Sequence, residues 1–171
     1  MRTMAITVTQ FLSALSGQES GGDYGAENMT GSGAYGKYQF MPQYWPEFAK
    51  AAGLSGDAPM TAANQELVAR HRAQSLYEQY GSWEDVASIW YSGRPISRMD
   101  PSTANASQSG GPSIAQYVNE VMGRTSQAPV NGRAPTVASW TTAQITQGYG
   151  PTDEPLDSGY NGYANFNKGY D

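Results

Sequence analysis

The chain has 171 residues, enough for one ordinary domain with an appendage and a proper buried core. Its net charge is −5 with only 10 Lys and Arg, so no basic face for nucleic acid is expected, and the absence of Cys excludes disulfides, thiolate metal sites and a Cys nucleophile. No stretch approaches the roughly 20 apolar residues of a membrane span, and residues 1–20 read as an amphipathic helix rather than a signal peptide. Tyr and Trp number 12 and 4 against 4 Phe. Rings with a flat apolar face and a polar edge suit a half-wet groove for an amphipathic ligand such as a sugar. Part of that excess, Tyr149, Tyr160, Tyr163 and Tyr170, belongs to a Gly-rich tail.

In chain order, Val8, Phe11, Leu12 and Leu15 recur at the spacing of one helical face, and the next position on that face is Glu19. A carboxyl that replaces the next apolar residue sees hydrocarbon on one side, which disfavours its charged form and raises its pKa. Such a group can act as an acid near neutral pH; on helical phase alone the alternative is a solvated Glu at a frayed helix end. Ser20, Gly21 and Gly22 end the helix, leaving the carboxyl at an opening. A Gly-rich loop follows, running Gly33-Ala34-Tyr35-Gly36-Lys37-Tyr38-Gln39-Phe40-Met41-Pro42.

A second helix is expected from Pro42 to about Ala52, with Trp45, Phe48 and Ala49 as its stripe and Gly53 as its stop. A third runs from Thr61 to about Tyr80, with Ala62, Ala69, Ala73, Leu76 and Tyr80 on one face and His71 off it, among Arg70 and Arg72, as a surface residue. Ser82 with Asp85 makes a capping-box-like start for a fourth, whose face is Trp83, Val86, Ala87 and Trp90. Gly93 stops it and leaves Tyr91 in the last turn. Residues 94–112 read as a long loop. A last helix is expected from Ser113 to about Met122, with Ile114, Tyr117, Val118 and Val121 inward and Gly123 closing it.

The stretch from Glu19 to Pro42 resembles the lytic transglycosylase and lysozyme-like family, whose members carry a catalytic Glu followed by Ser and then Gly-Ala-x-Gly-x-x-Gln-x-Met-Pro. Gly33, Ala34, Gly36, Gln39, Met41 and Pro42 are in register with that pattern. The resemblance implies an all-α, lysozyme-like helical domain over residues 5–123. It also implies cleavage of the β-1,4 bond between N-acetylmuramic acid and N-acetylglucosamine in peptidoglycan, with Glu19 as the general acid. Thr30 holds the place of a family Ser nine residues before the motif's Gln, and Ser32 is a second hydroxyl able to hold the Glu. Tyr91 stands where the family has the Tyr of Tyr-Asn-Ala-Gly, whose hydroxyl helps set the Glu; Ser92 replaces the Asn. Gln39 and Met41 are expected to line the groove and Tyr35 and Tyr38 to meet sugar rings, whereas Trp90 is expected to pack in the core.

A lytic transglycosylase needs one carboxylate, because the muramic 6-hydroxyl itself attacks the anomeric carbon to give a 1,6-anhydro end. Hydrolysis as in lysozyme requires a second carboxylate, for which Asp23 or Glu27 would serve. A glycan-holding module without cleavage is the reading from a different class.

Residues 124–140 have linker composition, and 141–171 form an irregular Gly-rich extension. The latter resembles the opening of a zinc metallopeptidase domain of the lysostaphin-like kind, on Asn167, Gly169 and Asp171. Asn167 stands in the place of a zinc-ligating His, and an amide is a poor zinc ligand, so neither zinc nor another cofactor is expected. The pairing resembles phage virion-associated wall hydrolases and tail or tape-measure proteins. It implies a place in a phage tail acting on the bacterial wall, with glycan strands and other tail proteins as partners; a secreted or wall-associated bacterial protein is the alternative.

Overall fold

The computed structural model describes residues 5–28, 31–108 and 111–126. It is mostly helical. Thr7 caps α1 (Val8–Glu19) through a capping box with Gln10: the hydroxyl accepts from Gln10 N, while the Gln10 side chain accepts from Thr7 N at 2.9 Å. The apolar stripe read from the sequence buries Phe11, Leu12 and Leu15, and Glu19 is the helix's last residue. Next come α2 (Trp45–Ala51), α3 (Ala62–Tyr80) and α4 (Trp83–Ser92). Thr61 and Ser82 cap the last two, and Gly81 and Gly93 end them in the left-handed conformation that glycine adopts without steric cost.

Several expectations need correction. Pro42 does not open α2; the helix starts at Trp45, with Pro46 in the first turn, where a missing N–H is harmless. At the start of α4 only half a capping box forms. Ser82 accepts from Asp85 N, but the buried Asp85 carboxylate turns the other way and accepts from Ser97 N (2.8 Å) and Ser97 Oγ (2.7 Å). That pairing anchors a chain segment that had read as a long loop. Residues 94–112 instead hold a 3₁₀ turn at Ile96–Arg98, α5 (Pro101–Asn105, capped by Asp100) and an antiparallel pair of β1 (Ser107–Gln108) with β2 (Gly111–Ser113). The last helix, α6 (Ile114–Thr125), passes through Gly123 rather than stopping there. His71 is buried, not a surface residue, and burial lowers its pKa to about 4. The inward face of α3 is wider than an alanine stripe: Gln65, Leu67 and Val68 are buried with Ala69 and Ala73.

The core lies where α1, α3, α4 and α6 meet, built from Phe11, Leu15, Val68, Ala69, Ala73, Val86, Ile114 and Val121. Ala69 and Ala73, both fully buried, let α3 approach its neighbours closely. Trp83 ties the start of α1 to α4: its ring stacks on Phe11 at 4.5 Å and on Tyr77 at 4.3 Å, and its indole N–H donates to Ile6 O at 2.9 Å. Among the described residues no helix is long and apolar enough to cross a membrane. Residues 127–171, and with them most of the expected linker, the whole Gly-rich extension and Asn167, lie outside the described residues.

The loop from Ser20 to Tyr44 is clamped onto α3 by two successive polar residues. Gln65, fully buried, accepts from Lys37 N at 2.8 Å and donates to Tyr24 O (3.1 Å) and Met60 O (2.8 Å). Glu66 receives Tyr24 Oη (2.7 Å), Lys37 Nζ (2.5 Å) and Tyr38 Oη (2.9 Å). Gly36 has φ +83°, and a Cβ there would overlap the Gln65 carboxamide. Gly36→Ala is therefore expected to lower stability by about 2–3 kcal/mol in urea unfolding, from backbone strain together with displacement of the buried amide.

Candidate active site around Glu19

Three devices hold Glu19. The first is the end of α1, where Ser20 N–H donates to Ser16 O at 3.1 Å and Gly21 and Gly22, at φ +69° and +92°, turn the chain sharply away. The second is Ser20 itself: its hydroxyl donates to Lys37 O at 2.8 Å and accepts from Gly22 N and Asp23 N at 3.1 Å. The residue after the acid thereby stitches the helix end to the Gly-rich motif. The third is α6, from which the buried Tyr117 donates its hydroxyl to Glu19 Oε1.

Burial raises the Glu19 pKa to about 7, and the Tyr117 hydrogen bond, which favours the carboxylate, opposes part of that rise. Near neutral pH the group is thus divided between its two forms. It can give a proton and take one back, which suits it to general acid and general base work in turn. Tyr117 is pushed well above the usual tyrosine range by burial and by the neighbouring carboxyl, so it remains a donor throughout.

Tyr91 does not reach Glu19 with its hydroxyl. That group donates to Pro112 O at 3.0 Å, and the ring instead lies flat on Tyr117, centroids 4.3 Å apart and planes 9° from parallel. Tyr91 therefore backs the residue that holds the acid. Tyr38 is also displaced from its expected role. It is 1% exposed, its hydroxyl engages Glu66, and its carbonyl accepts from the Trp90 indole at 3.0 Å, so it packs inside and meets no sugar. Gln39 ties its own loop together, donating to Gly36 O (2.9 Å) and Ala26 O (3.2 Å) at a backbone φ of +49°. It also borders a cleft of about 220 Å³ whose lining includes Met41, Trp90 and Tyr91.

Tyr35 is half-buried and bridges Glu27 and Phe40 through its backbone. Ser32 is exposed and its hydroxyl accepts from Ala34 N at 3.3 Å. Thr30 lies outside the described residues. Asp23 and Glu27 are exposed, and the Asp23 carboxylate accepts from Gly25 N at 2.8 Å. Among the described residues no group of three or more His, Asp and Glu side chains is placed to hold a metal ion. The structure brings Glu19 together with Tyr117, which the sequence presents only as a member of an apolar stripe. The available signal was chemical: a hydroxyl on a helix face that is otherwise Ile114, Val118 and Val121 has to find a buried partner.

The raised pKa fixes the sign of a stability effect. With a folded pKa of about 7 above an unfolded value of 4.5, the favourable contribution of Glu19 is complete below pH 4.5 and is lost as pH rises through 7. Glu19→Gln is uncharged at every pH, so its stability relative to the wild type should rise between pH 4 and 8 by up to about 3 kcal/mol, read from paired denaturation curves. Comparison with protein-family models, curated protein sequences and solved structures finds no match for the chain.

Proposed function

We propose that the chain cleaves the β-1,4 bond from N-acetylmuramic acid to N-acetylglucosamine in peptidoglycan, by a single-carboxylate lytic transglycosylase mechanism on a lysozyme-like helical fold. The observation that carries this reading is Glu19 itself: a half-shielded carboxyl with a pKa of about 7, held by Tyr117 at the end of α1. The Gly-Ala-x-Gly-x-x-Gln-x-Met-Pro pattern and the Ser20 tie to Lys37 O, which joins that motif to the acid, support it further.

Protonated Glu19 gives its proton to the glycosidic oxygen as the bond from that oxygen to the muramic C1 breaks. The muramic 6-hydroxyl then bonds to C1 while the Glu19 carboxylate takes the hydroxyl proton. The 1,6-anhydro end forms and the acid is restored with no water consumed. Tyr117 steadies the carboxylate between the two transfers. Hydrolysis would need a second carboxylate, and the exposed positions of Asp23 and Glu27, the former bound to its own loop, favour the single-carboxylate route. From the resemblance of residues 141–171 to a lysostaphin-like opening beside such a domain we further propose a place in a phage tail acting on the bacterial wall, with a secreted or wall-associated bacterial protein as the alternative.

Mass spectrometry of digested peptidoglycan should find 1,6-anhydromuramic ends. Reducing ends would point to hydrolysis, and an intact wall would leave a glycan-holding module. Glu19→Gln is expected to slow release by at least roughly a hundredfold. Because the first step needs the protonated form, kcat/KM should fall as pH rises through about 7. Removing the hydrogen bond that favours the carboxylate raises the Glu19 pKa, so Tyr117→Phe should move that descending limb to higher pH; a limb that stays in place would refute the pairing.

A further inference from the structure

Two consecutive carbonyls of the Gly-rich motif serve the acid and the cleft, one each. Lys37 O accepts from Ser20 Oγ at 2.8 Å, beside Glu19, and Tyr38 O accepts from the indole of Trp90, a residue of the cleft wall, at 3.0 Å. Whatever fixes this short stretch of backbone therefore fixes where the acid stands relative to the cleft.

It is fixed from behind by Gln65 of α3, whose side chain is fully buried. Gln65 Oε1 accepts from Lys37 N at 2.8 Å, while Nε2 donates to Tyr24 O at 3.1 Å and Met60 O at 2.8 Å. One amide thus joins three separated pieces of backbone: the loop after α1, the Gly-rich motif and the approach to α3. Both backbone groups of Lys37 are taken, the N–H by Gln65 and the carbonyl by Ser20. Gln65 does not line the cleft, so its bearing on the chemistry runs through Lys37. An interior amide engaged on both sides holds its partners closely, since a slip leaves buried polar groups unpaired.

We infer that Gln65 is a positioning residue of the Glu19 site: by holding the Lys37 backbone it sets, through Ser20, the end of α1 against Tyr117 and, through the adjoining Tyr38 carbonyl, the cleft wall. Its effect on turnover rests on the glycan-cleaving reading of Glu19, whereas its effect on the carboxyl does not. A displacement of about 1 Å at a reacting group is enough to cost about a hundredfold in rate, so a hold of this kind matters even from a residue that meets no substrate.

The test reads the Glu19 carboxyl directly, by carbon-13 NMR titration of the full chain, with Glu19→Gln identifying its signal. In the wild-type background Tyr117→Phe should raise the Glu19 pKa, because it removes the bond that favours the carboxylate. Gln65→Met keeps a long unbranched side chain but cannot donate and accepts poorly, so it releases the Lys37 backbone. In that background the rise caused by Tyr117→Phe should shrink by about half or more, since the seat of Glu19 against Tyr117 is already loosened. A loss of stability alone would leave the rise unchanged. Should Gln65→Met fail to fold, Ser20→Ala cuts the same path beside the acid and should shrink the rise likewise, while Ser20→Thr, which keeps a hydroxyl, should restore it. On peptidoglycan, Gln65→Met and Ser20→Ala should each lower kcat about tenfold, and the double variant little further than the stronger single one. A rise of equal size in every background, or kcat losses that multiply, overturns the positioning role while leaving cleavage at Glu19 intact. A wild-type chain that cleaves no wall overturns the cleavage reading instead, and the NMR comparison still decides the role of Gln65.

Discussion

The arrangement depends on one contact across the bundle, the hydrogen bond from Tyr117 on α6 to Glu19 at the end of α1. A carboxyl at a helix C-terminus stands in the negative field of the unsatisfied carbonyls there, and burial compounds the penalty on its charge. Without a donor in that place its pKa would lie higher still. The tyrosine hydroxyl offsets part of this and brings the pKa to about 7. Residues 98 positions apart in sequence therefore share control of a single proton. The packing of α6 against α1 and α4 is what keeps them together.

The second support is the polar ridge on α3. Gln65 and Glu66 are adjacent, yet they divide the loop between them: the amide takes backbone groups of Tyr24 and Lys37, and the carboxylate takes the side chains of Tyr24, Lys37 and Tyr38. A buried amide with its donor and acceptor sides both engaged fixes its partners tightly, since any slip leaves a polar group unpaired in the interior. Lys37 is the hinge of this arrangement, because its carbonyl is also the acceptor for Ser20 beside the acid. A segment rich in glycine is held in one shape by contacts that glycine itself cannot make.

Much of the helical framework was legible from local chemistry. The stripe Val8, Phe11, Leu12 and Leu15 leads in phase to Glu19, Ser82 caps α4 where the sequence places a cap, and Thr61 and Ser113, expected as first helical residues, cap their helices from one position outside. What stayed hidden was set by distant partners. Asp85 looked like a local cap residue, but Ser97 claims its carboxylate and draws the following segment into short regular pieces. Gly123 looked like a stop, yet α6 continues one more turn because Val121 and Thr125 are buried on its inner side. His71 fell off a face judged too narrow. In the site, helical phase marked the position of Glu19 and the Gly-Ala-x-Gly-x-x-Gln-x-Met-Pro resemblance singled it out, whereas the contact from Tyr117 in place of Tyr91 depends on the hydroxyl of Tyr91 finding Pro112 O, a backbone acceptor that no side-chain pattern reveals.

The parallel pair of tyrosine rings has a further bearing on how such a molecule could evolve. One ring lines the open cleft and the other belongs to the tyrosine that holds the Glu19 carboxyl, and their centroids lie 4.3 Å apart. A substitution selected to change what the cleft accepts, if it falls on the outer ring, also alters the seat of the inner one and hence the acidity beyond it. A change at position 91 therefore reaches both the cleft and the seat of the Glu19 carboxyl, while changes at Tyr44 or Arg72, which line the same cleft without stacking on Tyr117, reach the cleft alone.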